Sequence, residues 1–282
     1  MDELFTIGGV CFRIVCPDEV EPPENFLKFH GGQEPAYTYR ISLSDAFPAP
    51  EGRVLARRED MLVVATAGGE CRYIGVKGNP QPYACYMEMN EQEAQILLHP
   101  DRAGRLSIDP MFVSLFALER RQILADALIL HCAYIEYGAE AILFSAPSET
   151  GKTTQANLWE KCRGARTVNG DRALLRQMDG RWHACGWPVC GSSEVCFDEA
   201  LPVRAIVMLS QSPVDEVRRL APAQAFSQLF SQITVNRWNR ADTVHAMDLT
   251  ERIVTDLPIY HLGCTMEESA VRVLEQAIYG AE

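Results

Sequence analysis

An apolar run, Ala141 to Phe144, leads into Ala146-Pro147-Ser148-Glu149-Thr150-Gly151-Lys152-Thr153-Thr154. A strand that enters such a turn and leaves it as a helix aims successive backbone N–H groups and the helix N-terminus at one point. Lys152 then supplies a point charge and the Thr153 hydroxyl a ligand for Mg2+. The pattern predicts a phosphate-binding loop made of Ser148, Glu149, Thr150, Gly151, Lys152, Thr153 and Thr154, with a nucleotide as ligand. The bland alternative is a chance Gly-Lys-Thr in an ordinary helix-opening turn. Two positions depart from the strict motif G-x-x-x-x-G-K-[ST]: Ala146 stands at the first glycine, and Glu149 adds a negative charge inside the loop. A carboxylate there either repels phosphate, turns outward or contacts the metal, and the sequence leaves all three open.

A length of 282 residues accommodates one large domain or two modest ones. The net charge of −12 opposes binding to nucleic acid or to anionic membranes, so any phosphate site must be locally basic. No apolar run approaches the length of a bilayer span, and Met1-Asp2-Glu3 lacks the basic start of a signal peptide, so a cytoplasmic location is expected. The ten cysteines sit in apolar stretches without a Cys-x-x-Cys pair, which favours free thiols. His183, Cys185, Cys190 and Cys196 offer four zinc ligands at irregular spacing. With Trp182, Trp187 and Val189 around them, buried thiols in a packed hairpin are the simpler account.

The first hundred or so residues alternate as short strands between Pro, Gly and Asn clusters. Leu4–Ile7, Val10–Val15, Ala36–Ile41, Met61–Ala65, Cys71–Val76 and Tyr83–Met87 predict an antiparallel β-rich subdomain. From Asp109-Pro110 the period becomes helical, with Phe112, Leu115, Phe116, Ile123 and Ala127 on one face, so a boundary is expected near residue 105. Residues 128–135 then read as a buried strand, followed by the strand entering the loop, its helix from Thr153 to Gly164, and short strands flanking Asn169-Gly170-Asp171-Arg172. Val203–Leu209 reads as a central strand and Pro222 opens a helix. Thr265-Met266-Glu267-Glu268 reads as a capping box before the last helix.

Three elements fall in order: Leu130-His131, the loop, and Asn169-Gly170-Asp171-Arg172. This layout resembles the catalytic domain of HPr kinase/phosphorylase and its relatives, a superfamily that includes phosphoenolpyruvate carboxykinase, over roughly residues 110 to 280. The resemblance implies an α/β (α+β) fold: a PEP-carboxykinase-like P-loop domain over 106–282, preceded by the β-rich subdomain 1–105. It implies a kinase that uses ATP and Mg2+ to phosphorylate a hydroxyl of a small protein, peptide or metabolite. Ser148, Thr150, Gly151 and Lys152 would hold the phosphates, Thr153 and Asp171 the metal, and His131 would sit beside the phosphate site. The catalytic residues are then Asp171, His131 and Lys152. In that family an Asp-Asp pair follows the loop's helix, the first acting as general base; here it reads Gly170-Asp171, and the position of the base has no side chain.

His131 is either an acid/base or a packed core histidine. Gly186 to Glu194 is either a loop presenting backbone donors to an acceptor or a hairpin turn held by Trp187 and Pro188. Arg172, Arg204 and Arg237 are equally available to a phosphate. Two functional readings follow: an ATP-dependent serine kinase, or a nucleotide-binding scaffold that has lost catalysis.

Overall fold

The structure is a computed structural model, described for residues 1–79 and 81–280. The chain divides into two compact units between Leu118 and Glu119, past the boundary expected near residue 105.

The first unit is built on one eight-stranded sheet: β1 (Asp2–Ile7), β2 (Val10–Val15), β3 (Tyr37–Leu43), β4 (Val54–Arg57), β5 (Met61–Thr66), β6 (Gly69–Ile74), β7 (Ala84–Glu88) and β8 (Glu93–Leu98), with helix α1 (Glu24–Leu27) between β2 and β3. Alternation sets its faces: in β3, Tyr37, Tyr39 and Ile41 are buried while Arg40 is exposed. The order β1-β2-β3-β8-β7-β6-β5-β4 corrects the antiparallel expectation, because β2–β3 and β3–β8 pair in parallel. The long crossover through α1 lets β3 run alongside β2 in the same direction, and the β4–β7 meander returns β8 to the far side of β3.

The single helical face expected from Phe112 to Ala127 is also corrected. Helix α2 (Asp109–Val113) passes into a 3-10 turn, Ser114–Phe116, and Ala117 turns left-handed at φ 48° before α3 (Leu118–Leu124). Ala127 already belongs to the next strand. Phe112, Leu115 and Phe116 are nonetheless buried, as the spacing required.

The second unit holds β9 (Ala127–Tyr137), β10 (Glu140–Ser145), α4 (Lys152–Arg163), β11 (Arg166–Asn169), β12 (Arg172–Met178), β13 (Arg181–Cys185), β14 (Ala200–Gln211), β15 (Glu216–Arg219), α5 (Pro222–Gln232), β16 (Ile233–Thr234), α6 (Arg240–Asp256), β17 (Ile259–Cys264) and α7 (Glu268–Tyr279). Two long strands change partners along their length, β9 pairing with β10, β11, β12 and β16 and β14 with β10, β13 and β17. The first half of β9 pairs with β12 and its second half with β10. Ala200–Pro202 of β14 pairs with β13, while Val203–Met208 runs parallel to β10. β17 then lies parallel to β14 and β15 closes the edge.

The sheet is covered on both faces, which is why Ala141–Phe144 of β10 and Ala205–Leu209 of β14 are apolar without alternation. Ala133, Phe144, Val207 and Leu262 pack under α4 and α7 through Trp159 and Leu274. On the other face Leu143, Ile206 and Met208 meet Leu229 of α5 and Leu249 and Ile253 of α6. Helix α7 begins at Glu268, not at the expected capping box. The Thr265 hydroxyl accepts from the Glu267 N–H and donates to Asp215, which also takes the Ser269 hydroxyl inside the first turn.

Candidate functional site

Register assembles the site. Ser145, the last residue of β10, pairs with Cys132 of β9, and the next residue back along β9, His131, pairs with Arg172 at the start of β12. The loop that leaves β10, His131 and the turn before β12 are therefore neighbours by strand pairing alone. The Ser145 hydroxyl donates to the His131 carbonyl at 2.8 Å, and the Cys132 N–H donates to the Asp171 carbonyl at 3.0 Å, which pins the two turns together.

The loop Ala146–Gly151 ends in Gly151 at φ 120°, a conformation that side chains rarely adopt and that aims α4 back along the sheet. Glu149 is also left-handed, at φ 64°, and exposed; its carbonyl accepts from the Gln211 amide at 3.4 Å. Lys152 is only 8% exposed, and its Nζ donates to the carbonyls of Ala146 (3.0 Å) and Pro147 (3.3 Å). Among the described residues no carboxylate lies within ion-pair distance of it. Burial pulls its pKa below the usual lysine value, and the charge of Asp171 opposes the fall. A cation withdrawn from water and held only by loop carbonyls is the local basicity that a phosphate site in an acidic chain requires. Ser148 and Thr153 are exposed, Thr150 and Thr154 half-buried.

Asp171 sits between Arg172 and His131. Arg172 Nε donates to its Oδ2 at 3.0 Å, while its Oδ1 faces His131 Nε2 at 3.6 Å. Arg172 also reaches Thr234 of β16 through Nη1 at 2.8 Å. The turn itself is built by Asn169, whose Oδ1 accepts from the N–H groups of both Asp171 and Arg172. Its Nδ2 donates to the carbonyls of Trp187 and Val189, tying the 186–194 loop to the same place.

His131 is half-buried, and desolvation first, then the charge of Lys152, lowers its pKa below the ordinary 6.5, so the neutral ring is favoured near pH 7. Its Nδ1 lies 3.4 Å from Gln232 Oε1, an oxygen identified by the Gln232 Nε2 donating to Ser231. Nδ1 is then assigned as the donor. With that tautomer the unprotonated Nε2 is the ring nitrogen that faces Asp171 Oδ1.

Gly170 meets its neighbours closely. A Cβ there would lie 2.2 Å from the Ser193 hydroxyl oxygen and 2.3 Å from its Cβ. Ser193, in the 3-10 turn Gly191–Ser193, occupies the space beside Gly170, and a Cβ on Gly191 would approach Asp171 Cβ at 3.1 Å. The 186–194 loop thus packs on the Asp171 turn, with Trp187 and Cys190 buried. The sequence singled out both segments, 169–172 and 186–194; what it did not show is the contacts that join them, Asn169 with the carbonyls of Trp187 and Val189 and Ser193 with Gly170.

The three arginines separate. Arg172 is in the site, Arg237 is exposed, and Arg204 binds the Ile278 carbonyl at the opposite end of β14. Cys185, Cys190 and Cys196 are buried thiols outside any disulfide, with Cys185 pushed up to about 11 by burial, and among the described residues no three His, Cys, Asp or Glu side chains gather to hold a metal.

A family model described as SynChlorMet cassette protein ScmC matches residues 98–279, more than half of the chain. The chain belongs to the ScmC family. That description names no reaction, so chemistry for an ScmC member has to come from its own site. No curated protein matches the chain. A solved structure of the HPr(Ser) kinase/phosphatase from Coxiella burnetii is similar at a TM-score of 0.31 and 12% identity, covering 54% of this chain and 93% of that one.

Proposed function

We propose that the protein binds ATP with Mg2+ at the 146–154 loop and transfers the γ-phosphoryl group to a hydroxyl of a small protein, peptide or metabolite. The observation that supports this most is Lys152: a buried ammonium without a carboxylate partner among the described residues, at the first turn of a helix that follows a parallel strand. An anion supplied from outside completes its charge balance. The oxygen donors available, the exposed Thr153 hydroxyl and the Asp171 carboxylate, suit a hard cation that keeps water and phosphate oxygens in its shell. The metal would supply neutralisation of the charge on the phosphate oxygens.

Each residue has a task in such a transfer. Lys152 and the N–H groups of Ser148 to Gly151 hold the phosphates. The acceptor O–H enters beside His131 Nε2 and Asp171 Oδ1, the two atoms that face each other at 3.6 Å. As its oxygen bonds to phosphorus, the bond from phosphorus to the bridging oxygen breaks, the proton passes to this pair, and ADP leaves with the electron pair. Arg172 holds Asp171 in place. Transfer through a loose transition state depends mainly on position and charge, so the pair replaces a stronger base at position 170.

Ser193 filling the space beside Gly170 favours a second reading, a nucleotide-binding scaffold without transfer. Labelled ATP separates the two. The family description calls its members cassette proteins, so small proteins and peptides encoded beside this chain are the first acceptors to assay. The kinase reading expects label on a hydroxyl with wild type and its loss with Asp171→Ala; binding without transfer to any of them supports the scaffold.

A further inference from the structure

The loop strand β10 has different neighbours on its two sides. On one side β9 and β12 bring His131, Asp171 and Arg172 to the end of the loop. On the other side β14 and β17, both parallel to β10, end beside the loop crest, where Gln211 donates to the Glu149 carbonyl. A cavity of about 500 Å3 opens there, within the range of small-molecule sites.

Its position follows from strand alternation. Leu209 and Leu262 turn toward α4 and α7, so Ser210 and His261 turn to the opposite face. Deeper in the sheet that face is apolar and covered, at Ile206 and Met208. Toward the strand ends the apolar residues stop. Ser210 Oγ and His261 Nε2 are 3.1 Å apart, Gly263 leaves the floor without a side chain, and Arg218 of β15 lies across from His261. Polar groups at the carboxyl ends of parallel strands are the usual setting of an open-sheet ligand crevice.

Resting on the nucleotide-binding reading above, the geometry points to this cavity as the seat of the nucleoside. A nucleotide whose terminal phosphate lies by His131 and Asp171 runs its phosphate chain across the end of β10 and delivers ribose and base to β14 and β17. The Ser210 hydroxyl and the Gln211 amide offer partners to ribose hydroxyls or the base edge. The imidazole of His261 and the guanidinium of Arg218 offer flat faces to a base.

Inorganic tripolyphosphate carries the phosphates of ATP without its nucleoside, so comparing the two by calorimetry with Mg2+ isolates this cavity. Wild type is expected to bind ATP more tightly than tripolyphosphate. His261→Ala and Ser210→Tyr, which strip and fill the cavity, are expected to weaken ATP by about tenfold or more while leaving tripolyphosphate unchanged. Unchanged tripolyphosphate binding also reports that the variants fold. Equal affinity of wild type for both ligands overturns the inference, as do variants that leave ATP binding intact or weaken both ligands alike. Failure of wild type to bind either ligand instead overturns the phosphate-loop reading, and this seat with it.

Discussion

Gly170 leaves a space that Ser193, from another segment, fills. A methyl group at 170 collides with Ser193, whose hydroxyl donates to the Cys190 carbonyl at 2.6 Å and accepts from the Val195 N–H at 3.3 Å, so it yields little. Gly170→Ala is expected to cost about 1–3 kcal/mol of stability, measured by denaturant unfolding, and Ser193→Gly in the same chain to restore part of it. His131 offers a second residue-level check. Because the fold favours its neutral form, the unfolded chain binds the extra proton first on acidification. The stability is full above the ordinary pKa of 6.5 and is lost as pH falls from there through the lower folded value. Imidazole NMR titration is expected to find His131 below 6.5 in the free protein and to find it rising when MgATP is added, since an anion beside Lys152 removes the repulsion. A His131 that titrates normally and ignores ATP contradicts its place beside the phosphates.

At the scale of elements, Asp215 stands where the last helix needs an acceptor. Its carboxylate takes the Thr265 N–H at 2.7 Å, the Thr265 hydroxyl and the Ser269 hydroxyl, and although burial opposes it, these bonds hold its pKa below the usual carboxylate value. Asp215→Ala is therefore expected to destabilise the fold by about 1–3 kcal/mol near neutral pH, read from thermal melts. That difference should shrink as acidification carries the wild-type carboxyl through its lowered folded value. From sequence the carboxylate was invisible, since it lies in the turn after β14, and Thr265-x-x-Glu268 pointed to the wrong cap. Helix α6 was missed for a related reason. Its buried positions Ala246, Leu249, Thr250 and Ile253 keep helical spacing, but exposed Val244 and Met247 blur the stripe. The strands that were read and the helix of the loop were legible because their signals are local: alternation in Tyr37 to Ile41, an apolar run in Ala141 to Phe144, and Gly164 at φ 67° closing α4, whereas β4, β8, β15 and β17 were not read. Parallel pairing of β3 with both neighbours was not, because it depends on what a long crossover does in space.

Across the second unit as a whole, the residues read from sequence as one constellation converge because β9 and β14 each change partners midway along their length. That change puts the loop, His131 and the Asp171 turn on one side of β10 and leaves an open polar crevice on the other. Every catalytic and nucleoside-binding role assigned above depends on phosphates occupying the space between them. Calorimetric titration of the intact chain with MgATP, alongside Lys152→Ala, tests that most directly. Wild type should bind one nucleotide per chain and Lys152→Ala should bind about 10–100-fold more weakly, the loss of a charge-assisted contact. Absence of binding by wild type, or equal binding by the variant, would contradict a phosphate site at Lys152.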